Sequence, residues 1–172
     1  MNRVALAALA VFVPMVVEAI VSARHDRQLR ALGAVEPPGD VYRVMLFAYP
    51  AAFVVMLAEG ARRGFEADGL ATTGTAVFVI GKALKYWAIA SLGTRWTFRV
   101  LVPPGSTRIA RGPYRWFAHP NYAGVALELT GVAIAAHAML TGLPAVLAFC
   151  TLLGMRARVE ESALLKGRMP PG

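Results

Sequence analysis

The sequence has few cysteines and few charged residues. Its single cysteine, Cys150, lies inside an apolar run, so the chain has no disulfide framework and no cysteine-based metal site, and we predict no metal. Charged residues make up 16% of the 172 residues and hydrophobic residues 57%, with a mean hydropathy of +0.53. A soluble domain of this size could not bury so much apolar surface. The chain also lacks the G-x-G-x-x-G fingerprint of a Rossmann sheet. We therefore predict an all-α integral membrane protein.

Five apolar runs are long enough, or nearly so, to cross a bilayer core, which takes about 20 helical residues. They are Val4–Val21, Val44–Gly60, Leu70–Leu92, Tyr122–Leu140 and Leu143–Arg156, the last continuing as helix through Arg158–Leu165. We interpret the first as an uncleaved anchor. Only Thr141-Gly142 joins the last two spans, and Pro144 is suited to start the next helix, so these spans form a tight antiparallel hairpin. We treat 1–172 as one membrane domain, with two spans in 1–69 and the catalytic core in 70–172.

Basic residues are concentrated on one side of this predicted bundle. The opposite side has only Arg3, Arg62 and Arg63. By the positive-inside rule the amino terminus is outside and the carboxyl terminus cytoplasmic, in a bacterial plasma membrane. The asymmetry accounts for the net charge of +8 and the pI of about 10.4 without nucleic acid as a partner. The basic residues on the predicted cytoplasmic side are Arg24, Arg27, Arg30, Arg43, Arg95, Arg99, Arg108, Arg111, Arg115, Arg156, Arg158, Lys166 and Arg168.

The hairpin brings two polar clusters to the same level. His119-Pro120-Asn121-Tyr122 lies about 20 residues before the turn and Arg158-Val159-Glu160-Glu161 about 18 residues after it, which is roughly 30 Å of helix on each side. Arg156 and Glu160 are also spaced for an i, i+4 salt bridge. We therefore expect the two clusters to meet at the cytoplasmic end of the hairpin.

Four ionisable residues lie within the predicted spans, where charge is costly. We interpret Glu18 as snorkelling to the interface. Lys82 and Lys85 share one side of a helix and could line a polar cavity, and Glu128 is deep enough that we expect it to pair inside the bundle. We assign no role to His25 or His137.

Gly112-Pro113-Tyr114, His119-Pro120-Asn121-Tyr122 with Gly124, and the later Arg156-Ala157-Arg158-Val159-Glu160-Glu161 together resemble the isoprenylcysteine carboxyl methyltransferase family. The resemblance covers roughly 82–165. It implies an integral membrane enzyme without a Rossmann sheet that uses S-adenosylmethionine as methyl donor. Ala118 stands where the family usually has arginine, and Ser106 where some members have histidine.

The resemblance also implies roles for particular residues. A catalytic role falls on Arg156, which would hold the anionic acceptor. A phenolic acceptor would in addition need a base, for which His119, Glu128 or a lysine of the third span could serve. The cofactor-binding positions are Ser106, Thr107, Arg108, Ile109, Tyr114, His119, Pro120, Asn121, Tyr122 and Glu160. Aromatic walls suit a sulfonium through cation–π contact, and free N–H groups at a helix start suit the polar end of the cofactor.

The acceptor is a lipophilic molecule that enters from the bilayer, with membrane lipid as the other partner. The segment from Lys85 to Trp96 is similar to small bacterial members linked to alkylresorcinols, so we favour a phenolic hydroxyl over a prenylcysteine carboxylate. The sequence carries no signal for the oligomeric state.

Two other functions fit parts of the pattern. Membrane sterol and lipid reductases share a similar hairpin but bind NADPH and are generally larger. A non-enzymatic scaffold would use both motifs only to lock the bundle. A transporter fits worst, because five spans without a repeat offer no alternating halves.

Overall fold

The computed structural model describes residues 2–166. It contains five long helices: α1 (Arg3–Ala31), α2 (Tyr42–Arg62), α3 (Gly69–Leu92), α4 (Pro120–Ala135) and α5 (Met139–Lys166). Two 3₁₀ turns, Gly93–Arg95 and Gly112–Arg115, lie between α3 and α4. This part of the chain contains no strand, which confirms the all-α prediction. Arg168, counted above among the cytoplasmic basic residues, lies outside the described residues.

Four of these helices, α1, α2, α3 and α5, are long and apolar enough to cross a membrane. The fourth predicted span is shorter than expected, because α4 has 16 residues and is therefore about 24 Å long. With the family evidence given below, these helices make the chain an integral membrane protein.

The hairpin turn lies earlier than predicted. The link between α4 and α5 is Ala136–Ala138 rather than Thr141-Gly142, and Pro144 lies inside α5 instead of starting it. The turn needs His137 at a positive φ of 52°. The first turn of α5 is capped from another helix, because the Glu59 carboxylate accepts the N–H groups of Leu140 (3.2 Å) and Thr141 (2.9 Å). Because the capping carboxylate comes from α2, the sequence around the turn does not show where α5 begins.

Helix α1 also runs ten residues past the predicted span end and stops at Ala31, so the basic segment after Val21 is helical. Its end is followed by Gly33 at φ +79°. The loop that follows pairs with the connection between α3 and α4: Val35 and Val102 exchange two backbone hydrogen bonds of 3.2 and 3.1 Å. The N-terminal half thus reaches the segment just upstream of the Gly112-Pro113-Tyr114 motif.

Helices α3 and α4 pack with their backbones in close contact. Glycines face the partner helix at four positions, and a Cβ at any of them would overlap backbone atoms across the interface: Gly74, Gly81, Gly124 and Gly131. The close packing fixes Lys85 on α3 against Gly124 on α4. It therefore sets the position of the His-Pro-Asn-Tyr motif relative to α3.

Candidate active site

The opening motif forms a compact corner before α4. Gly112 has φ +57°, and a Cβ there would overlap the Ser91 side chain, so the turn requires glycine. Pro113 is buried in the 3₁₀ turn, and Pro120 occupies the first turn of α4, where its missing N–H is not needed. His119, Asn121 and Tyr122 are thereby fixed at the start of a helix.

The two clusters of the hairpin meet, as expected. His119 Nε2 lies 3.0 Å from Glu161 Oε1, and the Tyr122 hydroxyl donates to Glu160 Oε2 at 2.8 Å. The rings of His119 and Tyr122 stack at 5.1 Å with planes 5° apart. Helix geometry alone therefore predicted this meeting correctly, despite the misplaced turn.

Arg156 does not make the i, i+4 salt bridge to Glu160 that its spacing allows. Its Nε donates to the Tyr122 hydroxyl at 3.0 Å, and that hydroxyl in turn donates to Glu160. Arg156 Nη1 lies 3.5 Å from Asp40 Oδ1. The Tyr122 hydroxyl, which comes from α4, therefore lies between Arg156 and Glu160 and links them through two hydrogen bonds.

Asp40 is a site residue that the sequence reading missed. Its side chain is 2% exposed and accepts the backbone N–H groups of Val100 (2.8 Å) and Tyr42 (3.1 Å) as well as facing Arg156. The only signal was an aspartate two residues before an apolar helix, which is typical of a helix start. Its partners, 60 and 116 residues away, leave no local pattern.

The same loop holds Glu36 between two arginines. Glu36 Oε2 lies 2.8 Å from Arg30 Nη2, and Oε1 lies 3.0 Å from Arg99 Nη1. Partial burial raises the pKa of the Glu36 carboxyl, but the hydrogen bonds from Arg30 and Arg99 outweigh this effect, so its pKa is lower than usual. These pairs hold the 32–41 loop on the α3–α4 connection.

A cavity of about 730 Å³ opens among these elements, within the usual size range of small-molecule sites. Ten of the predicted site residues line it: Ser106, Thr107, Arg108, Ile109, Tyr114, His119, Asn121, Tyr122, Arg156 and Glu160. Pro120 and Glu128 do not. Apolar side chains line another part of the wall: Met15, Val16, Met45, Leu46, Phe149 and Leu153. One cavity therefore joins a polar wall from the motifs to an apolar wall from α1, α2 and α5.

The polar wall offers unused hydrogen-bonding capacity. Asn121 Oδ1 is buried and has no hydrogen-bond partner within residues 2–166. A buried polar atom left unpaired is costly, so this atom suits a ligand contact. Burial, followed by the nearby Glu160 carboxylate, raises the pKa of Tyr114 well above its ordinary value. Its hydroxyl therefore stays protonated and can donate.

Beside the cavity lies a group of four charged side chains, three of them buried, which we call the charge quartet: Glu18, Lys82, Lys85 and Glu128. Lys82 Nζ lies 3.0 Å from both carboxylates. Lys85 Nζ lies 2.6 Å from Glu18 Oε2 and 3.4 Å from Glu128 Oε1. The predicted pairing of Glu128 inside the bundle is confirmed.

The snorkelling interpretation of Glu18 is wrong, because Glu18 is 4% exposed and points at α3. Two cations and two anions cancel, which is what makes these charges tolerable inside the bundle. Lys85 and Glu18 also line the cavity, whereas Lys82 does not. The other two histidines do not line the cavity. His25 Nδ1 lies 2.8 Å from the Trp96 carbonyl oxygen, and His137 Nε2 lies 3.0 Å from Asp68 Oδ2.

With this geometry in place, comparison with known proteins identifies the family. The model of the isoprenylcysteine carboxyl methyltransferase family matches residues 74–166. The chain belongs to this family. The match starts in α3 and ends in α5, so it includes the whole hairpin and every predicted site residue. Family membership makes the chain a membrane methyltransferase, and hence an enzyme.

Two bacterial proteins are similar to this methyltransferase over most of its length. The chain is 29% identical to the uncharacterized protein YpbQ of Bacillus subtilis over 147 residues, 86% of this chain and 88% of the relative. It is 23% identical to an uncharacterized protein of Haemophilus influenzae over 145 residues, 84% of each chain. No solved structure matches the chain at a significant level. Both alignments are longer than the family match, so the similarity includes α2 and at least the end of α1.

Proposed function

We propose that this family member transfers a methyl group from S-adenosylmethionine to the oxygen of a lipophilic acceptor. The observation that carries the proposal is the single cavity that joins the polar motif residues to an apolar wall from three helices. Such a cavity suits a polar cofactor at one end and an alkyl chain at the other.

The polar wall fits S-adenosylmethionine, which supplies a methyl group made electrophilic by a sulfonium. The Glu160 carboxylate can accept hydrogen bonds from hydroxyl or amino groups, and Asn121 brings an unpaired oxygen. Tyr114 and Tyr122 present aromatic faces to a cation. The segment 106–109 and His119 close the same wall, while Pro120 acts indirectly by setting where α4 starts. These residues position the cofactor and exclude water, which is the main protein contribution to an in-line displacement.

For the acceptor we favour an alkylresorcinol-like phenolic lipid over a prenylcysteine carboxylate. Arg156 lies in the cavity wall at the level of Tyr122 and can hold an anionic oxygen. Val16 on α1 and Leu46 on α2 line the cavity with exposed side chains, which suits the entry of an alkyl chain between these two helices from the bilayer. The amino terminus would be outside and the active site on the cytoplasmic face of a bacterial plasma membrane, in line with the basic loops.

Isothermal calorimetry with the detergent-purified protein tests the cofactor. We expect S-adenosylmethionine to bind and NADPH not to bind. Glu160→Ala should weaken binding by about 10- to 100-fold, the usual effect of losing a hydrogen bond to a charged group. Glu66→Ala removes an exposed carboxylate elsewhere and should leave the affinity unchanged.

The possible results separate the functions considered above. Binding of NADPH alone would favour a lipid reductase. Binding of neither ligand by the folded protein would favour a scaffold and overturn the proposal. Methyl transfer to pentadecylphenol, followed with radiolabelled cofactor in mixed micelles, then tests the acceptor class.

A further inference from the structure

A hydroxyl acceptor has to lose its proton during methyl transfer, since a phenol with a pKa of about 10 is neutral at pH 7. His119 is poorly placed to take it, because its Nε2 lies 3.0 Å from Glu161 and its Nδ1 lies 3.7 Å from Glu160. Both ring nitrogens face acids. Glu128 is a buried carboxylate paired with Lys82 and Lys85, and it does not line the cavity. The proton therefore needs a path from the cavity to Glu128.

Tyr49 on α2 supplies this path. Its hydroxyl donates to Glu128 Oε2 at 2.6 Å, and its side chain lines the cavity. The ring is held between Phe53 and Phe149, with centroid distances of 4.9 and 5.1 Å. Lys85 Nζ lies 5.3 Å from the centre of the same ring. Packing on three sides fixes the ring, so one rigid side chain contacts both the cavity and the buried carboxylate.

We propose that Tyr49 is a catalytic residue that carries the acceptor's proton to Glu128; this rests on the proposed O-methyl transfer. The acceptor hydroxyl transfers its proton to the Tyr49 oxygen while the Tyr49 hydroxyl proton moves to Glu128 Oε2. The acceptor oxygen forms its bond to the methyl carbon as the methyl–sulfur bond breaks, and the bonding pair stays on sulfur as a thioether. Tyr49 ends neutral and Glu128 ends protonated.

The charge quartet makes this transfer electrostatically feasible. Before the reaction the quartet is neutral and the sulfonium carries one positive charge. Afterwards the thioether is neutral and the quartet, with a protonated Glu128, carries one positive charge. The total charge in the low-dielectric site is therefore unchanged, so no net charge has to be created there.

Tyr49→Phe removes only the hydroxyl and keeps the packed ring. We compare its rate with that of the wild type on two acceptors at pH 7: pentadecylphenol, which is neutral, and a dinitro-substituted pentadecylphenol, which is largely ionised. The variant should be about 100-fold slower on the neutral phenol, the usual size of a general-base contribution, and within about threefold of the wild type on the ionised one. Thr73→Val, which removes an exposed hydroxyl that donates to the Gly69 carbonyl oxygen of its own helix, is the control and should leave both rates unchanged.

Each other result overturns the proposal. Equal losses on both acceptors would mean that Tyr49 only positions the acceptor or supports the fold, and no loss on either would mean that it carries no proton. Calorimetry with S-adenosylmethionine and a melting curve on the same Tyr49→Phe sample show whether it is folded. If the wild type binds no S-adenosylmethionine, or methylates neither phenol, the proposed function fails first and this inference fails with it.

Discussion

The α3–α4 interface offers the sharpest test of the structure, because Gly131 leaves no room for a methyl group. A Cβ built on Gly131 would lie 2.7 Å from Phe78 Cα and 2.8 Å from the Gly74 carbonyl oxygen. These are backbone atoms of a neighbouring helix, so no side chain can rotate away. Gly131→Ala must therefore push the two helices apart.

Two opposing effects determine how Gly131→Ala changes the free energy of unfolding. Replacing glycine by alanine within a helix normally stabilises it by about 0.5–1 kcal/mol. Overpacking at a contact of this kind costs about 1–3 kcal/mol, more where backbone has to move. For a protein of this size a net loss of 1–2 kcal/mol lowers the melting temperature by roughly 2–8 °C. Gly154→Ala is the control, since nothing lies within 4 Å of its Cβ position, and it should melt at or slightly above the wild-type temperature.

Thermal unfolding in one detergent, followed by circular dichroism, measures both variants against the wild type. A Gly131→Ala protein that melts as high as Gly154→Ala would refute the close backbone packing of α3 on α4. Because the same packing places Lys85 against Gly124, it would also weaken the geometry assigned to the charge quartet.

Two further predictions concern the ends of helices. Glu59→Ala should lower the melting temperature more than Glu59→Gln, because glutamine keeps one oxygen to accept the Leu140 and Thr141 N–H groups; equal losses would show that the cap does not matter. The hydrogen bond from the Ala71 N–H, and then the contact with His137, lowers the pKa of the Asp68 carboxyl in the folded protein. The stability that ionised Asp68 contributes is therefore fully present above the pKa of an unfolded aspartate, about 3.9, and is lost as the pH falls through the lower pKa of the folded state. Asp68→Asn should therefore shrink the drop in melting temperature between pH 6 and pH 3, and an unchanged drop would contradict the assignment.

What the sequence predicted well depended on regular geometry. The fixed rise of a helix was enough to bring His119 and Tyr122 to Glu160 and Glu161, even with the turn misplaced by several residues. Hydrophobicity was enough to find α1, α2, α3 and α5. Neither signal depends on which residues meet across the bundle.

What the sequence could not give depended on distant partners. Glu18 has its cations on α3, 64 and 67 residues along the chain, so a lone acid in an apolar run was indistinguishable from a snorkelling one. The Glu59 cap of α5 and the Asp40 contact with Arg156 are of the same kind. No local sequence pattern marks such residues, so their partners can be identified only from the contacts between helices in the folded structure.

These distant partners change which part of the chain the chemistry depends on. The family match starts at residue 74, yet Glu18, Asp40 and Tyr49 all precede it and all contribute to the site. Asp40 holds the arginine assigned to the acceptor, Tyr49 faces the cavity, and α1 and α2 supply much of its apolar wall. In the proposed function the family half therefore holds the cofactor, while the first two helices supply part of the apolar surface that an acceptor would touch. We infer that acceptor preference among relatives of this methyltransferase follows α1 and α2, so exchanging those two helices between relatives should change the acceptor while S-adenosylmethionine affinity stays the same.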